Sequence, residues 1–320
     1  MLTTPLLEAL AARHGPVDVV TTPAAAPLVD TLAAVRRVIP YDKHGADRGI
    51  AALLGLARRL RAARYDAAYL PHRSLRTAAL AWLARIPTRI GFQDGWPLLY
   101  TEARPRPAAA HEADRLLVLA DDAAPRPRLS LEITAADRAA AERFLAAADI
   151  AAPFVALAPG AIWGTKRWPY YAALAERLAE RAAVVIVGGP EDAPLAAEIL
   201  AAVRRSGGQA ASGCGTLTLR QAAAVLGRAA LLVTNDSAPL HLAQAVATPT
   251  VAIFGSTIPA FGFGPRGARD QIVELTDLAC RPCSAHGPAA CPLGHHRCMR
   301  ALDVARVWAA IDATGGLAGS

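Results

Sequence analysis

Short apolar runs rich in β-branched residues alternate along the whole chain with longer Ala/Leu stretches that carry Arg, Asp or Glu at helical spacing. That alternation predicts parallel strands joined by crossover helices, an α/β architecture. In the first half it predicts strands over 17–22, 67–70 and 88–92, and helices over 6–13, 48–64 and 75–83. The stretch 101–107, followed by 111–120 and the proline-rich Ala124-Pro125-Arg126-Pro127, reads as an interdomain crossing. In the second half, a strand over 154–158 leads through a Gly-rich loop into a helix over 170–181. A strand over 184–187 then ends in Gly188-Gly189-Pro190, and Pro194 opens a helix over 195–205. A third unit has a strand over 231–234, the loop Asn235-Asp236-Ser237, a helix to 247 and a strand over 250–254. With 320 residues, two domains of ordinary size are expected, 1–150 and 151–320, with ligands bound at the carboxyl ends of the strands.

Composition narrows the picture. Hydrophobic residues make up 53% and aromatics 5%, so Ala, Leu and Val must build the core. Every long apolar stretch is interrupted by charge, which argues against a transmembrane span. The opening Met1-Leu2-Thr3-Thr4-Pro5 lacks the basic and apolar regions of a signal peptide, so the expected location is the cytoplasm. A net charge of +7 favours an anionic partner, a phosphate, a nucleic acid or an anionic membrane face, without choosing among them. Much of the excess is helical Arg, as at Arg58, Arg59, Arg61 and Arg64, where simple solvation of a surface is the plainer reading. Basic residues interleaved with aromatics are missing, so nucleic acid is not an expected partner.

Chemistry concentrates in three strand-to-helix loops. In "APGAIWGTKRWP", residues 158–169, Gly160 and Gly164 permit a tight turn and close approach of a ligand. Lys166 and Arg167 bring cations beside a helix start marked by Pro169, a plausible anion cradle that lacks the Walker A spacing. In "VTNDSAPLHLAQA", residues 233–245, Asp236 and Ser237 stand where free N–H groups of a helix start can hold a diphosphate. Ordinary N-capping is the alternative there, and His241, one turn on, faces either cleft or core. In "GGPEDAP", residues 188–194, Glu191 is preferred over Asp192 as a carboxylate for ribose hydroxyls, against an acid placed only to suit the helix dipole.

Four of the five cysteines, Cys280, Cys283, Cys291 and Cys298, fall in one segment with His286, His295 and His296 nearby. The spacing C-x2-C-x7-C-x6-C could hold zinc or an iron–sulfur cluster, but it matches no standard finger or ribbon. A metal-free structural segment is the expectation, with metal ligation as the alternative. Cys214, alone in "SGCGTLTL", reads as a small buried side chain.

Taken together, "PGAIWGTKRWP", "GCGTLTLRQAAAVL", "NDSAPLHLAQAVATPTVAIFGST" and "CRPCSAHGPAACPLGHHRCM" resemble the ADP-heptose:lipopolysaccharide heptosyltransferases of glycosyltransferase family 9, most closely the heptosyltransferase II branch. Upstream, "YDAAYLPHRSLRTAALAWLARIPTRIGF" and "HEADRLLVLA" extend the likeness over essentially the whole chain. The resemblance implies a GT-B fold, two Rossmann-like domains facing across a cleft, the first holding the acceptor and the second ADP-heptose. It implies inverting transfer of L-glycero-D-manno-heptose to the lipopolysaccharide inner core, with no metal and no cofactor, by a cytoplasmic protein peripheral to the inner membrane. Carried over by motif, Lys166 and Asp236 would act in catalysis. Gly160, Thr165, Lys166, Arg167, Glu191, Asp236, Ser237, Ala238, His241 and Thr257 would bind the donor.

One departure bears on activity. Family members carry a strand and a Gly-Asp turn ahead of a segment like "LTTPLLEAL", and that Asp is thought to act as general base. Here the chain opens on the first helix, so the strand and its Asp are expected upstream of Met1. A related transferase using another nucleotide sugar, or a donor-binding pseudo-transferase without the base, are the alternative functions.

Overall fold

A computed structural model of the chain describes residues 1–121 and 128–317. The proline-rich Ala124-Pro125-Arg126-Pro127 lies outside the described residues. The chain divides into two compact units, Leu2–Leu129 and Ser130–Ser320.

The first unit runs α1 (Thr4–His14), β1 (Val17–Thr21), β2 (Val35–Pro40), α2 (Ile50–Ala62), β3 (Ala67–Leu70), α3 (Leu75–Leu83), β4 (Thr88–Phe92), β5 (Glu102–Arg104) and α4 (Glu112–Leu117). Pro5 sits in the first turn of α1, where its missing N–H costs nothing, and Gly15 at φ 78° ends the helix. All strand pairs are parallel, in two separate sheets, β1-β2 and β3-β4-β5. Leu6 and Leu10 of α1 pack with Ile90, Phe92, Leu116 and Leu119. Leu56 and Leu60 of α2 pack with Ala78 and Ala81 of α3 over Leu70.

Two sequence expectations change here. The stretch 101–120 belongs to the first unit: β5 pairs with β4, Ile90 opposite Glu102 and Phe92 opposite Arg104, and α4 packs on α1. Its buried charges are compensated locally. Arg104 pairs with Glu102 at 2.7 Å and with Asp121, and Arg115 pairs with Glu112 at 3.2 Å. Three residues with charged ends give no period-2 signal, which is why β5 is silent in sequence.

The second unit runs α5 (Ala135–Ala147), β6 (Phe154–Ala158), α6 (Tyr171–Leu178), β7 (Ala183–Ile186), α7 (Ala193–Arg205), β8 (Ala210–Ser212), α8 (Leu219–Leu226), β9 (Leu231–Asn235), α9 (Ala238–Ala245), β10 (Thr250–Phe254), β11 (Gln271–Glu274), α10 (Arg297–Arg300) and α11 (Val304–Thr314). Its single parallel sheet has the order β11-β10-β9-β6-β7-β8. Counted from the unit's own first strand this is 3-2-1-4-5-6 read from the far edge, the doubly wound Rossmann order. Every residue of β6, β9 and β10 is buried, as a sheet covered on both faces requires. The winding direction reverses between β6 and β9, so the crevice of such a fold opens beyond their carboxyl ends.

The units part at 129/130 rather than near 150. Helix α5 packs on α8 of the second unit, and it is anchored there by charge. Asp137 closes a capping box with Thr134 and also accepts from Arg220 Nε at 2.6 Å. Burial pushes the Asp137 carboxyl up, but Thr134 and the Arg220 guanidinium outweigh it and hold it below its usual range. A depressed carboxyl stabilises the fold above its unfolded pKa and loses that contribution as pH falls through the folded value. Asp137→Ala is therefore expected to cost about 1–3 kcal/mol at neutral pH, with the deficit shrinking below about pH 4. Urea titration of both proteins across pH checks this, and equal stability at neutral pH would contradict it.

Candidate active site

Both loops at the reversal point are set by one side chain. Asn235, the last residue of β9, is fully buried, as is every residue of that strand. Its Nδ2 donates to the carbonyls of Pro159 at 2.8 Å and Gly160 at 3.4 Å. Its Oδ1 accepts from the Trp168 N–H at 3.1 Å and the Tyr171 hydroxyl at 3.3 Å. The loop after β6 is thus tied at both ends to the end of β9. In sequence Asn235 reads only as a loop residue, because its partners lie 64 to 76 residues away.

Within that frame Lys166 Nζ lies 2.6 Å from Asp236 Oδ2, and both side chains are largely buried. The Thr257 hydroxyl donates to the same carboxylate oxygen at 2.7 Å. Asp236 directly precedes Ser237, which stands at the N-cap of α9 in an extended conformation and makes no side-chain cap bond. Ala238 opens the helix and is exposed. An ammonium and a helix N-terminus therefore meet at one point, with one carboxylate holding the cation in place. Such a pole attracts an anion.

The other expected residues fall around this point with different duties. Thr165 is buried: its hydroxyl lies 2.6 Å from the Pro288 carbonyl and 3.0 Å from the Ser256 hydroxyl. Arg167 donates through Nε to the Ala161 carbonyl at 2.9 Å and closes its own loop. A Cβ on Gly160 would run into the Asp192 carboxylate, so glycine is a packing requirement there. Asp192 is buried, accepts the Gly189 N–H at 3.0 Å, and has its carboxyl raised by that burial. Glu191 is exposed, its carboxylate lying over Gly189. His241 is partly buried, 3.5 Å from Gln244 Oε1 along α9.

The cysteine-rich segment is a wall of the same site. The Thr165 N–H donates to Pro288 at 3.4 Å, His296 Nε2 lies 3.0 Å from the Thr165 carbonyl, and the Cys283 N–H donates to Ser256 at 2.9 Å. Arg281 donates to the carbonyls of Gly255 and Thr257 and pairs with Glu274 at 2.7 Å, so it holds the loop after β10. All five cysteines are free thiols, and among the described residues no three His, Cys, Asp or Glu side chains converge as a ligand set.

A Rossmann unit with a cationic pole at its reversal point, joined to a second α/β unit of parallel strands, is the architecture of a GT-B glycosyltransferase. Residues 53–291 match the profile of glycosyltransferase family 9 (heptosyltransferase). Lipopolysaccharide heptosyltransferase 2 of Salmonella typhimurium is 30% identical over 306 residues, covering 86% of this chain and 84% of its own. A family 9 glycosyl transferase from Veillonella parvula superposes with a TM-score of 0.87 at 23% identity, covering 100% of this chain and 94% of its own. The E. coli ADP-heptose lps heptosyltransferase II superposes at 0.79 and 24% identity, covering 98% and 94%. The chain belongs to glycosyltransferase family 9, the heptosyltransferases.

The thiols of the wall differ in reactivity. The His296 N–H, 3.4 Å from Cys291 Sγ, is the main group holding that thiol below its usual value. Burial, and then Cys283, pushes Cys298 up to about 11. Because the thiolate is the nucleophile, iodoacetamide at mildly alkaline pH is expected to modify Cys291 first and Cys298 last. Peptide mass spectrometry reads the order, and rapid labelling of Cys298 in folded protein would contradict it.

Proposed function

We propose that the protein transfers heptose from ADP-L-glycero-D-manno-heptose to the inner core of lipopolysaccharide, with inversion and without a metal. The observation that carries the proposal is the Lys166 ammonium, 2.6 Å from Asp236 beside the start of α9. Transfer leaves ADP with new negative charge on the diphosphate. Lys166, Arg167 and the N–H groups at Ser237 and Ala238 take up that charge, and fixed donors of this kind need no reorganisation at the moment of bond cleavage. Asp236 and Thr257 keep the ammonium aimed, and Thr165 keeps its loop against the wall formed by Pro288. Gly160 leaves room for the Asp192 carboxylate that frames the donor loop, Glu191 accepts from the ribose hydroxyls, and His241 supports the first turn of α9.

Two relatives support the donor and acceptor: the Salmonella protein is a lipopolysaccharide heptosyltransferase and the E. coli structure is that of an ADP-heptose lps heptosyltransferase. In this reading the first unit holds the acceptor at the carboxyl ends of its strands. Lys43, His72 and Arg73 gather there, and burial together with those two cations lowers the proton affinity of His72. No helix among the described residues is long and apolar enough to cross a membrane. A protein that reaches a lipid-anchored acceptor from the cytoplasm would be peripheral to the inner membrane.

Lys166→Ala is expected to weaken ADP-heptose binding by about 1–3 kcal/mol, the loss of one charge-assisted bond. Isothermal titration with ADP-heptose, UDP-sugars and GDP-sugars checks both residue and donor. Unchanged affinity in the variant removes Lys166 from the site, and tighter binding of a UDP- or GDP-sugar reassigns the donor. Transfer in the presence of EDTA should be undiminished.

A further inference from the structure

Residues 48–89 contain nine arginines and a single acidic residue, Asp66, a local excess larger than the +7 of the entire chain. Six of the nine, Arg48, Arg58, Arg59, Arg61, Arg64 and Arg85, are exposed, and among the described residues their side chains make no hydrogen bond or ion pair. Elsewhere in the first unit arginines are matched, as Arg36 and Arg37 are by Asp18 and Arg104 by Glu102. The unmatched set is therefore local.

It is also shaped. Arg61, Arg64 and Arg85 line one concavity with Tyr65, Asp66 and Pro87. Asp66 and Pro87 immediately precede β3 and β4, so the concavity lies at the amino ends of those strands, opposite the carboxyl ends where the fold binds substrate. Arg64 and Arg85 end the turns after α2 and α3 in the left-handed region, at φ 54° and 56°. Glycine or asparagine adopts that conformation at lower cost. Favourable interaction with the helix C-terminal dipole is the ordinary reason for cations there, yet none of these guanidiniums bonds to a terminal carbonyl.

Apolar side chains share the surface. Leu75 and Trp82, seven residues apart on α3, fall on the same helix face and are 49% and 52% exposed. Arg85 follows Trp82 by one turn, which brings the exposed indole to the end of α3 where the concavity opens. Unpaired arginines beside an exposed tryptophan and leucine are what an interfacial helix pair presents to anionic headgroups and the acyl boundary beneath them.

We propose that the α2–α3 face docks the protein on an anionic lipid surface, with Arg61, Arg64 and Arg85 engaging headgroup phosphates and Trp82 and Leu75 entering the interface. This assigns a face to the peripheral membrane association in the reading above, on which it rests. Nucleic acid, which shares the phosphates, would leave the exposed Leu75 without a role.

The test is co-sedimentation of the full chain with phosphatidylglycerol-containing vesicles and with pure phosphatidylcholine vesicles. Wild type is expected to bind only the former, and less so as salt rises. With about fivefold contributed per basic residue near such a surface, Arg61→Gln/Arg64→Gln/Arg85→Gln should bind roughly 100-fold more weakly. Trp82→Ala should weaken binding without changing its salt dependence. Thermal melting and ADP affinity, expected to match wild type, exclude misfolding as the cause. Vesicle binding retained by the triple variant overturns the proposal, as does wild type failing to bind anionic vesicles or preferring an oligonucleotide to them. Vesicle binding intact in a protein that neither binds ADP-heptose nor transfers to a soluble acceptor would refute the functional reading and leave the docking face standing.

Discussion

Asn235 is the constraint on which the second unit's loops rest. A buried amide can be kept only where its donors and acceptor are satisfied, and here four bonds do so while joining β9 to both ends of the loop after β6. Lys166 can meet Asp236 only because that loop is registered against the start of α9. A charge pair so deeply placed gives little net stability, since desolvation offsets most of the Coulomb attraction. Its value is positional: it keeps an ammonium oriented beside a helix N-terminus.

The wall built from 280–298 completes the same logic. Its carbonyl at Pro288, its imidazole at His296 and its guanidinium at Arg281 all bond to backbone or hydroxyl groups of the two loops that flank the pole. Three segments distant in sequence are thereby fixed to one another through polar contacts. The apolar sheet beneath them, with β6, β9 and β10 buried throughout, supplies the rigidity.

Much of this was legible in sequence, for identifiable reasons. Apolar runs ending in Gly, Pro or Asn-Asp-Ser announce strands that stop at the reversal-point loops, and those loops carry Gly160, Lys166, Asp236 and Ser237. The short strands β5, β8 and β11 were not legible, because three or four residues at a sheet edge carry no periodicity. The place of α5 was hidden for a different reason: its partner, Arg220, is more than eighty residues away. Asn235 and the wall escaped likewise, since a long-range hydrogen bond leaves no local pattern. Glu191 and Asp192, indistinguishable by type, differ sharply in burial, and the buried Asp192 serves the loop framework.

A crystal structure with ADP bound decides whether a nucleoside diphosphate lies between Lys166 and the first turn of α9. The expected result is a phosphate oxygen about 3 Å from Lys166 Nζ and another facing the N–H groups at Ser237 and Ala238. A diphosphate bound elsewhere, with the Lys166–Asp236 pair closed and untouched, would contradict it.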